Sequence, residues 1–318
     1  VVLMRVLISR EMPLEVVRLV EAKFDVAWRH SDFPMTALEA QAAMAEYDAI
    51  LATFGDDFSA TAFDGLHDAP CKLVANFGVG INHIDVVAAQ RAGIRVTNTP
   101  GVVTEATADI ALTLMLMTCR RASEGERMVR AEDWHGWGPT QLLGMHMSGK
   151  TVGIIGMGRI GQAIAQRCRL GFGMPIVFFN RSEKTIEGCT QFPSIQAVMQ
   201  ACDIAVVALP GGADTHHMIE AQALSALRPH AVLVNIARGD VIDEAALIAA
   251  LSAGQIAGAG LDVYEHEPLV PQALKDMQNV TLLPHMGTST LEVRLDMGVM
   301  AVANLTALAN GHDLPNQV

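Results

Sequence analysis

The chain is short of positive charge. Twenty-two Lys and Arg stand against 34 Asp and Glu, a formal net charge of −12 with His neutral. A surplus of that sign repels phosphate backbones and anionic bilayers, so neither nucleic acid nor a membrane surface is expected as a partner. Any anion site must therefore be locally basic. Long apolar runs are also missing. The longest of helical character, Ile110-Ala-Leu-Thr-Leu-Met-Leu-Met117, is too short to cross a bilayer and reads as a buried helix. Residues Val1 to Ser9 carry no charged segment ahead of a long apolar one, so no signal peptide is expected. Cys71, Cys119, Cys168, Cys189 and Cys202 form no C-x-x-C pair, and an odd, scattered set suits reduced thiols in the cytoplasm. Neither H-E-x-x-H nor paired Cys/His spacing occurs, so no metal is expected.

Half of the residues, 51%, are apolar and 18% are charged, enough to bury a sizeable core and to exclude a disordered chain. A length of 318 residues suits two domains. The most informative stretch is Thr151-Val-Gly-Ile-Ile-Gly156-Met-Gly158-Arg159-Ile160-Gly161, followed by Gln162-Ala-Ile-Ala-Gln-Arg-Cys168. An apolar strand, three glycines spaced G-x-G-x-x-G and a helical continuation form a dinucleotide-binding turn. Gly156 permits the tight turn, Gly158 leaves room for a pyrophosphate, and Gly161 lets helix and strand pack closely. The helix N-terminus then offers N–H groups and positive dipole to phosphate.

Strands and helices alternate on either side of this unit. Strands are expected at Met4–Ser9, Phe24–Trp28, Ala49–Thr53 and Leu73–Asn76, with an amphipathic helix from Pro13 to Lys23 and a capping box at Thr36 and Glu39. Such alternation predicts α/β architecture with parallel sheets. Asn76-Phe-Gly78-Val79-Gly80 directly follows a strand, where its N–H groups can hold a carboxylate; a plain β–α turn explains it equally well. The stretch Trp134-His-Gly-Trp137 lies in a polar loop, either at an interface or packed on its own domain.

The strand Pro175–Phe179 ends in Asn180-Arg181-Ser182. An NAD site usually places Asp or Glu there for the ribose 2′-OH. Without a carboxylate, and with Arg181 to pair with a 2′-phosphate and Ser182 as a further donor beside Asn180, NADPH is the preferred cofactor and NADH is the alternative; a solvated strand-end Arg is the bland reading. Later strands end near Leu209-Pro210, Arg238, Asp262 and His285. Ligands of open α/β sheets bind outside the strands' carboxyl ends, so Arg238, Glu267 and His285 are expected to converge on one crevice. Arg238 is a permanent cation whose fork suits an α-keto carboxylate. His285 can exchange a proton near neutral pH, and Glu267 can orient its ring. Singly, each has a bland explanation as a strand cap, a surface acid or a loop histidine.

Taken together these stretches resemble the D-isomer-specific 2-hydroxyacid dehydrogenase family. The matching segments are Gly78–Asp85, Asn98–Asp109, the Gly156 turn, Val234–Gly239, Gly260–Pro268 and Leu283–Gly287. The resemblance implies two doubly wound parallel-sheet domains, a Rossmann-type cofactor domain inserted into a flavodoxin-like substrate domain. Their expected bounds are 100–288 for the cofactor domain and 1–99 with 289–318 for the other. It implies Arg238, Glu267 and His285 as catalytic residues, of which Arg238 and His285 also contact substrate, and Val79 and Gly80 as carboxylate binders. Further cofactor contacts are implied at Thr104, Leu209, Pro210, Thr215, Ile236, Ala237, Asp262, His285 and Gly287. A homodimer is implied through a helix and arm at 101–148, with Trp137 approaching the neighbouring subunit's site. Asn180-Arg181-Ser182 and Trp134-x-x-Trp137 look like glyoxylate/hydroxypyruvate reductases, which reduce 2-oxo acids to D-2-hydroxy acids. Two other functions fit the scaffold: an NAD-dependent enzyme such as 3-phosphoglycerate dehydrogenase, against which Asn180 argues, and a nucleotide-sensing protein like the corepressors that resemble this family.

Overall fold

The computed structural model describes residues 3–318. It divides into two compact units, one of residues 3–103 and 288–318, the other of residues 104–287. In chain order the second is therefore inserted into the first.

The first unit contains β1 (Arg5–Ile8), α1 (Leu14–Glu21), β2 (Asp25–Trp28), α2 (Ala37–Glu46), β3 (Ala49–Thr53), β4 (Leu73–Phe77), α3 (Val86–Arg91) and β5 (Arg95–Thr97). Five parallel strands run in the order β2-β1-β3-β4-β5. This is the flavodoxin-like order, with its switch point between β1 and β3. All five residues of β4 are buried, as a strand covered on both faces requires. Val16, Val17 and Val20 turn the apolar side of α1 into this core. The expected capping box of α2 is present: Thr36 accepts from the Glu39 N–H while the Glu39 carboxylate accepts from the Thr36 N–H.

The inserted unit contains α4 (Thr104–Cys119), α5 (Ala122–Arg130), β6 (Val152–Ile155), α6 (Arg159–Phe172), β7 (Ile176–Phe179), β8 (Cys189–Gln191), α7 (Ile195–Ala201) and β9 (Ile204–Val207). It continues with α8 (Ala221–Ser225), β10 (Val232–Asn235), α9 (Glu244–Ser252), β11 (Gly258–Leu261), α10 (Gln272–Asp276) and β12 (Val280–Leu282). The last helix, α11 (Leu291–Ala309), belongs to the first unit. Seven parallel strands run β12-β11-β10-β9-β6-β7-β8. This is the Rossmann order extended by a seventh strand, and it reverses between β6 and β9. Every residue of β6, β9, β10 and β11 is buried.

Two details differ from expectation. The edge strand β8 was not anticipated: Cys189-Thr-Gln191 is three residues long, is not fully buried anywhere, and pairs only with β7. The apolar run within α4 is not buried all round. Ala111, Leu112, Leu114 and Met115 face the core, while Leu116 remains 39% exposed. No helix among the described residues is long and apolar enough to cross a membrane.

Candidate active site

The glycine turn after β6 is built by contact. Gly156 has φ +101°, and a Cβ there would lie 2.6 Å from the carbonyl oxygen of Ala208 at the end of β9. A Cβ on Gly161 would lie 2.2 Å from the Gly156 carbonyl oxygen. Only glycine fits at either position. Gly158 is different: its backbone is ordinary, and a Cβ would meet nothing within 4 Å. It caps α6 at the N-terminus and, as a glycine, brings no side chain to the N–H groups of that first turn. Open space therefore stands over a helix start whose dipole and N–H groups attract anions. These features fit a dinucleotide's pyrophosphate.

At the end of β7, the Asn180 amide is committed within the chain. Its Oδ1 accepts from the Met157 N–H at 3.2 Å, tying the strand end to the glycine turn, and its Nδ2 donates to the carbonyl and hydroxyl oxygens of Ser182. Gln191 on β8 holds the same loop, donating to the carbonyl oxygens of Asn180 and Ser182 and accepting from the Lys184 N–H. Arg181 is left as the exposed cation, with Asp214 at 3.9 Å across the rim. Thr215 is also tied inward, its hydroxyl donating to the carbonyl oxygen of Pro210 at 2.8 Å.

Three polar residues meet at the ends of β10, β11 and β12. Asn235, fully buried, closes the turn after β10 by accepting from the Ala237 N–H and donating to the Arg238 carbonyl oxygen. The Arg238–Gly239 peptide then packs against the Tyr264–Glu265 peptide so tightly that a Cβ on Gly239 would overlap it. Burial pulls the Arg238 guanidinium down from its ordinary value, and Glu267 and Asp240 oppose this. With those two carboxylates near it, the group remains a cation.

Glu267 and His285 form a close pair, Oε2 to Nδ1 2.7 Å, with both side chains largely covered. The other Glu267 oxygen accepts from the Tyr264 N–H at 3.1 Å. His285 itself has φ +55°, a left-handed conformation uncommon for a residue with a Cβ. Asp262 holds it there. The Asp262 carbonyl oxygen accepts from the His285 N–H, and its carboxylate accepts from the N–H groups of Met286 and Gly287. Burial pushes the Asp262 carboxyl up from its usual range, and those two N–H bonds counter it. Thr107 completes the turn by donating to the Gly287 carbonyl oxygen.

In the first unit, the loop after β4 is fastened by its carbonyl groups. Asn76 Nδ2 donates to the carbonyl oxygens of Gly78 and Gly80, and Asn98 Nδ2 donates to that of Val79. The Thr99 N–H also donates to the Gly78 carbonyl oxygen. Across a planar trans peptide the C=O and the next N–H point in opposite directions. Carbonyls of Gly78 and Val79 held inward therefore turn the Val79 and Gly80 N–H groups outward.

Trp134 and Trp137 are exposed, at 54% and 83%. Among the described residues, no group of three His, Cys, Asp or Glu is placed to hold a metal ion, and all five cysteines are free thiols. Gln191 lies outside every stretch the sequence singles out, and Asn76, Asn98, Asn235 and Tyr264 lie inside such stretches without their supporting bonds being legible there. The available signal is weak, an amide at or just beyond the end of an apolar strand.

Comparison with known proteins places the chain in a family. The family model described as D-isomer specific 2-hydroxyacid dehydrogenase, NAD binding domain, matches residues 112–287. A glyoxylate reductase of Thermococcus kodakarensis is 40% identical, over 99% of this chain and 96% of that protein. An NADPH-dependent glyoxylate/hydroxypyruvate reductase from Sinorhizobium meliloti, solved with NADP and malonate, superposes with a TM-score of 0.87 at 36% identity, covering 99% and 96% of the two chains. A glyoxylate reductase from Paecilomyes thermophila superposes at 0.84 with 32% identity, over 99% and 98%. The chain belongs to the D-isomer specific 2-hydroxyacid dehydrogenase family and is an oxidoreductase.

Proposed function

We propose that this enzyme reduces small 2-oxo acids, with glyoxylate and hydroxypyruvate favoured, to D-2-hydroxy acids using NADPH. The observation that carries this is the 2.7 Å pair of Glu267 and His285 beside the partly buried Arg238 cation. A bound nicotinamide supplies the hydride. The chain's own residues do the rest. Arg238 binds the substrate's carboxylate and carbonyl, and low solvent access strengthens its hold on negative charge developing at the carbonyl oxygen. His285, protonated, donates to that oxygen from Nε2, the ring nitrogen opposite its bond to Glu267; neutral His285 accepts the proton in the reverse direction. Glu267 fixes the ring through its 2.7 Å contact with Nδ1. The outward N–H groups of Val79 and Gly80 hold the substrate carboxylate.

The open space at Gly158 and the uncapped start of α6 accept the pyrophosphate, with Arg159, Ile160 and Gly161 supplying N–H groups. Arg181, 92% exposed, pairs with the 2′-phosphate, while Asn180 and Ser182 shape its loop. Thr104, Leu209, Pro210, Thr215, Ile236, Ala237, Asp262 and Gly287 complete the cofactor's surroundings. The exposed apolar side chains Leu116, Val129, Trp134, Trp137 and Leu143 support a homodimer formed through the segment 101–148, with Trp137 reaching the neighbouring site. The free thiols suit a cytoplasmic setting.

The test is cofactor oxidation measured across glyoxylate, hydroxypyruvate, phosphohydroxypyruvate and pyruvate, with NADPH and with NADH. Highest kcat/KM for glyoxylate or hydroxypyruvate with NADPH is expected. Equal kcat/KM with NADH refutes the cofactor preference, and preference for phosphohydroxypyruvate refutes the substrate.

A further inference from the structure

The loop that carries Glu267 holds a second histidine–carboxylate pair. Glu265 Oε1 lies 2.9 Å from Nε2 of His217, and the Glu265 side chain is only 18% exposed. His217 comes from the segment between β9 and α8, the same segment that contains Leu209, Pro210 and Thr215. Its backbone is left-handed, φ +49°, and its N–H donates to the carbonyl oxygen of Asp240, two residues beyond Arg238. The His216 ring stacks on it, centroids 3.9 Å apart. On its other side, the Glu265 N–H donates to the Glu244 carboxylate on α9, which burial pushes up from its usual range. Glu265 thus sits among His217, Glu244 and His266, while Glu267, two residues along, sits with His285 and Arg238.

Resting on the assignment of Glu267 and His285 as the acid–base pair, we propose that His217 and Glu265 are positioning residues that tether the 209–217 segment to the Glu267 loop and so aim Glu267 at His285. A partly buried carboxylate is costly without a partner. With His217 gone, Glu265 must turn toward water. Only His266 lies between it and Glu267, whose Oε1 is bonded to the Tyr264 N–H at the other end of the same loop. A displacement of that loop misaligns the proton donor without removing any group that binds substrate. Small misplacements at a reacting centre are expensive in rate.

The experiment measures kcat and KM for glyoxylate and NADPH in the full-length wild type and in His217→Asn, Glu265→Ala, the double variant and His217→Gln, with thermal unfolding of each. Each of the first two is expected to lower kcat roughly 10- to 100-fold with KM for glyoxylate changed less than about threefold. The double variant loses no more than the worse single, because both substitutions break one link. His217→Gln, which keeps a donor of similar reach, restores part of the loss. Wild-type kcat in the singles, additive losses in the double, or losses seen only in KM overturn the tether. An inactive wild type, or an unimpaired His285→Ala, overturns the acid–base assignment and the tether with it.

Discussion

The N–H of His285 donates to the carbonyl oxygen of Asp262 at 2.9 Å, and the Asp262 carboxylate takes the N–H groups of the next two residues. Three consecutive donors are thereby tied to one residue at the end of β11. This anchors a left-handed histidine that the backbone would otherwise disfavour. Asp262→Ala leaves two of those donors without their acceptor at a cost of order 2 kcal/mol. The expected outcome is a lower midpoint in urea unfolding together with a fall in kcat larger than the change in KM for glyoxylate.

The glycine turn separates packing from ligand space. Gly161→Ala drives a methyl into the Gly156 carbonyl and should destabilise the protein without any ligand. Gly158→Ala meets only open space, so its unfolding midpoint should stay near wild type. Its affinity for NADPH should nonetheless fall about tenfold or more, since the methyl occupies room that a pyrophosphate would use. Fluorescence titration with NADPH, beside thermal melts of the unliganded proteins, separates the two effects.

Arg181 is the exposed cation at the end of β7, and a charge-assisted bond to phosphate contributes about 1.5–3 kcal/mol. Arg181→Ala is therefore expected to raise KM for NADPH roughly 10- to 100-fold and to leave KM for NADH almost unchanged. High salt should shrink the difference between the two proteins.

Acid stability has a separate centre. Burial raises the Asp203 carboxyl, but the His230 ring at 2.7 Å and the Thr151 N–H at 2.9 Å outweigh this and hold it below its usual range. A carboxylate lowered in the folded state stabilises above its unfolded pKa, and that stability disappears as pH falls through the folded value. Asp203→Asn should cost about 1–3 kcal/mol at pH 7. The gap to wild type should close as pH falls below about 4, as followed by urea unfolding at several pH values.

Much of the fold is legible in the chain because parallel strands buried on both faces are continuous apolar runs. Val152–Ile155, Ile204–Val207 and Val232–Asn235 announce themselves in this way. The glycine turn is equally plain, since its residues must be small for reasons of contact. β8 is not legible, because a short, half-exposed edge strand owes its form to pairing with β7 rather than to its own pattern. The polar scaffolding is hidden for a similar reason. Gln191 acts on Asn180 eleven residues away, and Asn98 on Val79 nineteen away, through single hydrogen bonds that no periodicity records. Glu265 and Glu267 illustrate the limit of local pattern. Both are acids in the same loop; the family resemblance singles out Glu267, which precedes Pro268, and their different histidine partners are seen only in the structure.

In the proposed reaction His285 gives up a proton while Glu267 holds its ring. The most direct measurement is kcat/KM for glyoxylate with NADPH in wild type and in His285→Ala, with NADPH affinity determined independently to show that the cofactor still binds. The predicted result is a loss of roughly 10²- to 10⁴-fold with NADPH affinity retained. Turnover of His285→Ala within about threefold of wild type would contradict it.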